Sequence, residues 1–340
     1  MPVPLHPTLP PAQPGGLDST AFVRLDFSVT TNPYGPNPLL MRAVQTADQA
    51  RFPDPQYREA RNALARLHGV KPASVVPGLG GPELLHRIVR GYLPQGGRAL
   101  SAGAASREFT RAVQLAGGTL EPLPPAELAA ALRSDVQLVY VGHPHNPTGH
   151  TYTDEVLGQL LVACQANDTL LVLDQTYAPF VGLRMPPLHS HLVTVSSPGR
   201  AHGLPGLRPA YAVAALETAT ALWNLAPAWL LPAATAAVLA ALPQAQTHLN
   251  ETLPLVDEDA RELARALARV GRVEHHGTPF LTVQLPDAAR VAQALLDRGL
   301  RVRECSDLGL TDTLRISVRR PEDNATLQNA LLSVLGGVRS

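Results

Sequence analysis

Several short segments of this 340-residue chain carry side chains suited to chemistry on a small ligand. "HPHNPTG" (143–149) ends in a sharp Asn146-Pro-Thr-Gly turn, which either aims an amide into a cleft or simply reverses the chain. "LDQTYAPF" closes an apolar run with Asp174 and, three residues on, Tyr177. An acid there is either the N-cap of the next segment or the partner of a protonated ring nitrogen. "GLGGPE" (78–83) is a glycine-rich turn before a helical pattern, so the amides near Gly80 and Gly81 are candidates for phosphate binding. Ser197 and Arg208 lie in "TVSSPGRAHGLPGLRPAYAVA" (194–214), and Arg315 lies in "LRISV". Taken singly, each of these also fits a surface residue or a helix-end contact. His143-x-His145 resembles half of a metal site, but no third ligand is indicated, and no metal is expected.

These residues need a scaffold, and the apolar pattern supplies one. "VQLVYVG" (136–142), "TLLVL" (169–173), "LVTV" (192–195) and "YAVAAL" (211–216) are continuous apolar runs, as expected of strands buried on both faces. A helical "DEVLGQLLVACQAN" separates the first two, giving a strand–helix–strand unit of an open α/β sheet. Asp54 as N-cap, Pro55 at the first helical position and Gly69 as stop predict a helix over the intervening segment. Beyond about residue 245 the rhythm changes to a helix near 257–270, a strand in "PFLTVQL", a helix at 287–298, strands near 300–303 and 313–318, and a last helix from about 321. The expected division is an N-terminal arm (1–37) packing with the small domain, a large α/β domain (38–245) and a small α+β domain (246–340). In open α/β sheets ligands bind at the carboxyl ends of the strands, where these motifs fall.

In order and spacing the segments resemble the fold-type I, pyridoxal-phosphate (PLP)-dependent class I/II aminotransferases. Within that group they are most similar to histidinol-phosphate aminotransferase and L-threonine-O-3-phosphate decarboxylase. The resemblance rests on "DFSVTTNPYGP", "RFPDPQYREARNALA", "GLGGPELLHRIVRGYL", "HNPTG", "DQTY", "GLPGLR" and "LRISVRRPEDN". "RVRECSDLGL" and the early "QPGG" lean toward the decarboxylase branch, which serves cobalamin synthesis. The resemblance implies an α/β fold with a large, mostly parallel sheet domain and a smaller α+β domain. It further implies that Asp174 pairs with the pyridine nitrogen and that Asn146 and Tyr177 contact the ring's 3-oxygen. Ser197, Arg208, Gly80 and Gly81 would hold the phosphate, Arg315 would clamp a substrate carboxylate, and Asn32 and Tyr34 would lie near the substrate. A homodimer is implied, because the family's pocket is completed by a second subunit.

One position breaks the pattern. Relatives read S-x-S-K before the "GLxGLR" segment, whereas this chain reads Ser197-Pro-Gly-Arg200. The lysine is needed as a neutral amine to capture the aldehyde and later as a base. Arginine, with a pKa above ~12, serves as neither. Lys71 is the sole lysine of the chain and stands before the glycine turn. Further departures surround the same cofactor: Ser106 at the ring-stacking position, Gly199 for a second hydroxyl, Pro82 for a backbone donor, and Phe52 for a phosphate-binding tyrosine. His202 replaces an aromatic residue; with His143, His145 and His150 it is a candidate proton shuttle.

Zero formal net charge gives no reason to expect nucleic acid or an anionic membrane as partner. No run of about 18 apolar residues suggests a membrane span. Cys164 and Cys305 form no framework, and the proline-rich start lacks the layout of a signal peptide, so a cytoplasmic protein is expected. Three functions follow. The first is a divergent family member that has lost ordinary turnover but binds PLP non-covalently, or another small phosphorylated or carboxylate ligand. The second is an active enzyme with a histidine base, acting on a phosphorylated amino acid. The third is a non-catalytic dimeric scaffold.

Overall fold

The computed structural model describes Leu9 and residues 22–336. "QPGG" and the rest of the proline-rich start lie outside the described residues, Leu9 apart. The strands are β1 (Leu25–Asp26), β2 (Val75–Leu79), β3 (Arg98–Ala102), β4 (Thr119–Leu123), β5 (Val136–Gly142), β6 (Leu170–Asp174), β7 (Leu192–Ser196), β8 (Pro209–Ala214), β9 (Arg272–Glu274), β10 (Phe280–Gln284), β11 (Leu300–Arg301), β12 (Arg303–Glu304) and β13 (Thr313–Ser317). The helices are α1 (Pro38–Thr46), α2 (Arg58–His68), α3 (Gly81–Tyr92), α4 (Arg107–Leu115), α5 (Pro125–Ala131), α6 (Asp154–Ala166), α7 (Leu216–Asn224), α8 (Ala233–Ala241), α9 (Gln246–Leu267), α10 (Ala288–Leu296) and α11 (Pro321–Gly336).

Seven strands form the large sheet in the order β2-β8-β7-β6-β5-β3-β4. All run parallel except β8, which is antiparallel to both neighbours. The apolar runs mark these strands because both faces are covered. Leu138, Tyr140 and Val172 join α3 and α4 in one core, while Val139, Val141 and Leu171 join α5 and α6 in another. A third core packs α1, α2 and α8 against Val75, Tyr211 and Val213. The last apolar run begins two residues earlier than expected and runs antiparallel; burial on both faces specifies a strand but not its direction.

The smaller body is an antiparallel sheet, β12-β13-β10-β9, with α10 and α11 over a core that includes Leu263 and Leu267 of α9. β1 pairs in parallel with β11, and Phe27 is buried in this same core. Two helix starts differ from expectation. Pro55 lies in a turn and α2 begins at Arg58, because Tyr57 takes a left-handed φ of 46° to bury its ring. There its hydroxyl accepts from the Leu231 amide at 2.8 Å. Asp54 still serves the helix start, accepting from the Arg58 amide at 3.0 Å. α9 begins at Gln246, well before the expected start, and carries Pro254 within it. Among the described residues no helix is long and apolar enough to cross a membrane.

Candidate active site

Sheet direction gathers the motif residues. The carboxyl ends of β2, β5, β6 and β7 point to one edge, and β8, running oppositely, starts there. Gly80, Asn146, Asp174, Ser197 and Arg208 each lie at or just outside those strand ends, so they share one edge of the sheet.

At one side is a tight cradle. Gly80, with φ +86°, caps the start of α3, and an added Cβ would lie 2.6 Å from Arg208 Nη2. A Cβ on Gly81 would lie 2.8 Å from Ser197 Oγ. The guanidinium and the hydroxyl therefore press on backbone at a helix N-terminus, an arrangement that suits a phosphate. Pro82 follows without an N–H, removing one donor from that turn.

At the centre, Asp174 is held from two sides. Oδ1 accepts from the Thr176 hydroxyl at 2.6 Å and the Thr176 amide at 3.0 Å, and Oδ2 accepts from the Tyr140 hydroxyl at 2.8 Å. The amide of Ser106 donates to that same Tyr140 hydroxyl. Burial, then the Asp174 charge, pushes the Tyr140 phenol well above its ordinary value, so it stays a neutral donor. The Asx-turn bonds to Thr176 show that Asp174 caps its own turn and fill Oδ1, while Oδ2, bonded once, keeps acceptor capacity.

Arg315 comes up from β13 of the small body. It donates to Asn146 Oδ1 and to the Ser28 carbonyl, each at 2.6 Å. Its Nε is buried and without a partner, an unmet donor that suits an anionic ligand. Burial lowers the pKa of this guanidinium, and the nearby charge of Arg200 adds to the effect.

Arg200 is turned inward. Its Nη1 donates to the Thr30 carbonyl at 2.9 Å and to Thr30 Oγ1 at 3.0 Å, and the guanidinium lies over the Tyr177 ring, 5.5 Å from its centroid. Thr30 Oγ1 and the Tyr177 hydroxyl are 2.5 Å apart. Lys71 lies elsewhere: it precedes β2 at the sheet's opposite edge, roughly 15 Å from Gly80 at ~3.3 Å per strand residue.

Three expected site residues spend side-chain polar atoms on other partners. His202 Nδ1 is 3.0 Å from Asn37 Nδ2, at the cap of α1, and His248 of α9 is a neighbour. This engagement of Nδ1 weighs against His202 as a proton shuttle. Asn32 spends both amide hydrogens, on the Ala201 carbonyl and Thr252 Oγ1, and its Oδ1 accepts from the Tyr34 amide. It ties chain segments together beside Arg200, whose carbonyl accepts from the Asn32 backbone amide at 2.9 Å. Tyr34 donates to Asp259 Oδ2 at 2.6 Å, and burial with that carboxylate pushes its phenol up to about 12. His145 is likewise engaged, Nε2 facing the Ala104 carbonyl at 3.0 Å and Nδ1 facing Thr148 Oγ1 at 2.8 Å.

The sequence profile of aminotransferase class I and II matches residues 25–331, about nine-tenths of the chain. The chain belongs to the class I and II aminotransferase family. A histidinol-phosphate aminotransferase from Roseiflexus castenholzii is 29% identical, over 94% of this chain and 91% of that protein. A structure of histidinol-phosphate aminotransferase from Sinorhizobium meliloti in complex with pyridoxal-5'-phosphate superposes with a TM-score of 0.85 at 25% identity, over 93% of this chain and 92% of that one. The fold is shared with L-threonine-O-3-phosphate decarboxylase from Porphyromonas gingivalis, at a TM-score of 0.79 and 24% identity. This aminotransferase family is PLP-dependent.

The chain's residues fit the cofactor's non-covalent contacts. The cradle formed by Gly80, Gly81, Ser197 and Arg208 matches a phosphate, and the acceptor capacity of Asp174 suits a ring N–H. Thr30, Tyr140 and Thr176 were missed in the sequence. A hydroxyl inside the apolar run "VQLVYVG" was a signal for Tyr140; nothing local marks Thr30.

Proposed function

We propose that this chain is a divergent member of the histidinol-phosphate aminotransferase and threonine-phosphate decarboxylase group that binds PLP, or a related phosphorylated ligand, without covalent capture. Ordinary transamination or decarboxylation is then lost. The observation that carries this reading is Arg200, committed to Thr30 and stacked over Tyr177 where the resemblance places the lysine.

PLP, when bound, supplies an electron sink for charge released at a substrate's α-carbon. The residues that would hold it are Gly80, Gly81, Ser197 and Arg208 at the phosphate, Asp174 at the ring nitrogen, and Asn146 and Tyr177 at the ring oxygen. Asp174, fixed by Tyr140 and Thr176, would keep a proton at that nitrogen. Arg315 would bind a carboxylate through its unpartnered Nε. Arg200 holds the 30–32 segment against Tyr177 and adds positive charge, but it offers no free amine and takes no proton. The histidine-base reading loses support, because His145 has both ring nitrogens engaged, by Thr148 and Ala104, and His202 has Nδ1 engaged by Asn37. A cytoplasmic homodimer is part of the proposal.

The test is an absorbance titration of the purified protein with PLP, with borohydride reduction and mass analysis in parallel, on wild type and Arg200→Lys. Saturable binding without a mass adduct in wild type, and with one in Arg200→Lys, is expected. An adduct in wild type would overturn the reading. No binding of PLP would leave the scaffold reading in its place.

A further inference from the structure

Outside the site described above, His150 of the large body meets Glu274 and His276 of the small one at the seam between the two bodies. His150 follows the Asn146–Gly149 turn on the β5–α6 connection. Glu274 ends β9, the edge strand of the small sheet, and His276 lies in the turn leading to β10. One ligand atom from each, two imidazole nitrogens and a carboxylate oxygen, lies within 4.8 Å of the other two. The two imidazole rings are 4.0 Å apart at 41°.

We propose that His150, Glu274 and His276 form a divalent transition-metal site that clips the small body to the large one. Two imidazoles and one carboxylate, with water completing a tetrahedron, suit Zn²⁺ or Co²⁺ and disfavour Mg²⁺ and Ca²⁺, which take oxygen ligands. Around a tetrahedral ion with bonds of about 2.0–2.1 Å, ligand atoms sit roughly 3.3 Å apart. The present spacing therefore closes by side-chain rotation, which the exposure of both histidines permits.

The backbone beneath is already docked. A Cβ on Gly149 would lie 3.0 Å from Thr278 Oγ1 and 3.4 Å from His276 Cβ. The His150 carbonyl accepts from the His145 amide at 2.8 Å, so the first ligand hangs from a fixed turn. Glu274 Oε1 meets Arg272 Nη2 at 2.8 Å, an exposed pair that competes weakly with a metal ion. Two imidazoles in contact resist joint protonation; a shared metal ion takes up both lone pairs, and its affinity therefore falls with acid. The same turn carries Asn146, so the clip fixes the segment that meets Arg315.

The test uses the full-length chain with no PLP added, so its outcome is separate from that of the cofactor proposal. Zn²⁺ is titrated calorimetrically and Co²⁺ by its visible d–d absorption, on wild type, His150→Ala, His276→Ala and, as control, His189→Ala. His189 and His191 form another surface pair, with ring centroids 5.8 Å apart. One equivalent should bind wild type and the control, with affinity at least about tenfold lower in His150→Ala and in His276→Ala. Zn²⁺ should also raise the Tm of wild type but not of those two variants. No saturable binding, binding unchanged in both variants, loss in His189→Ala, or an equal response to Mg²⁺ would overturn the proposal.

Discussion

At the scale of single residues, environment decides which groups are available for chemistry. His202 is 4% exposed, and burial, then the nearby His248, brings its imidazole down to about 4. The unfolded chain takes up a proton near 6.5, so the folded state resists a protonation that the unfolded state accepts. The His202 contribution to stability is therefore full above pH ~6.5 and is lost as pH falls toward 4, by about 3 kcal/mol in all. His68, His143 and His145 are shifted downward by burial as well and add to the trend. Thermal melts at pH 7.5 and pH 5 should show a marked fall in Tm for wild type and a smaller one for His202→Phe. Equal falls would remove His202 from the acid response.

At the scale of elements, the start of α3 is the feature most exposed to a small change. Gly80 adopts a conformation L side chains rarely take, and its missing Cβ is the space used by the Arg208 guanidinium. Gly80→Ala should displace Arg208 and weaken phosphate or PLP binding by tenfold or more, with about 1–3 kcal/mol of backbone strain. Equilibrium binding beside a denaturant melt checks both; undiminished affinity would show that the cradle does not hold phosphate. A second close crossing sits nearby. A Cβ on Gly203 would lie 2.6 Å from the Gly35 Cα, and this contact sets the 30–37 segment against the Arg200 loop. Thr30 reaches Arg200 and Tyr177 because that segment is pinned there, also through Asn32 and Asn37.

At the scale of the whole molecule, the proposed dimer has a visible candidate surface. Phe52 is 79% exposed and Trp229 47% exposed, and their rings meet at 5.0 Å. Exposed paired aromatics of this kind fit an interface core rather than a solvent face. Sedimentation of wild type should give a dimer, and Phe52→Glu with Trp229→Glu should shift it toward monomer without unfolding. A monomeric wild type would refute the dimer; a dimer unaltered by both changes would place the interface elsewhere.

Local sequence by itself marked the central strands β5 to β8, while β2, β3, β4 and β9 went unmarked, and the candidate site residues were named through motif resemblance. The runs at 136–142 and 192–195 match β5 and β7 to within a residue, because a strand buried on both faces must be apolar throughout. Asp174 ends β6, Ser197 and Arg208 lie just outside β7 and β8, and Asn146 lies in the turn after β5; their types were legible because the motifs that carry them are local. Arg200 was visible as an arginine among motif residues, but its orientation was not. Its partner Thr30 is 170 positions away, and Thr30 in turn meets Tyr177, 147 positions on. The same distance in sequence hid His150 from Glu274 and His276, the hydroxyl cage around Asp174, and the contact between His202 and Asn37. Propensity and periodicity act over a few residues, whereas which side chains meet is set by sheet order and by the docking of one body on the other. That is why the chemical types were readable from the chain, and their partnerships only from the fold.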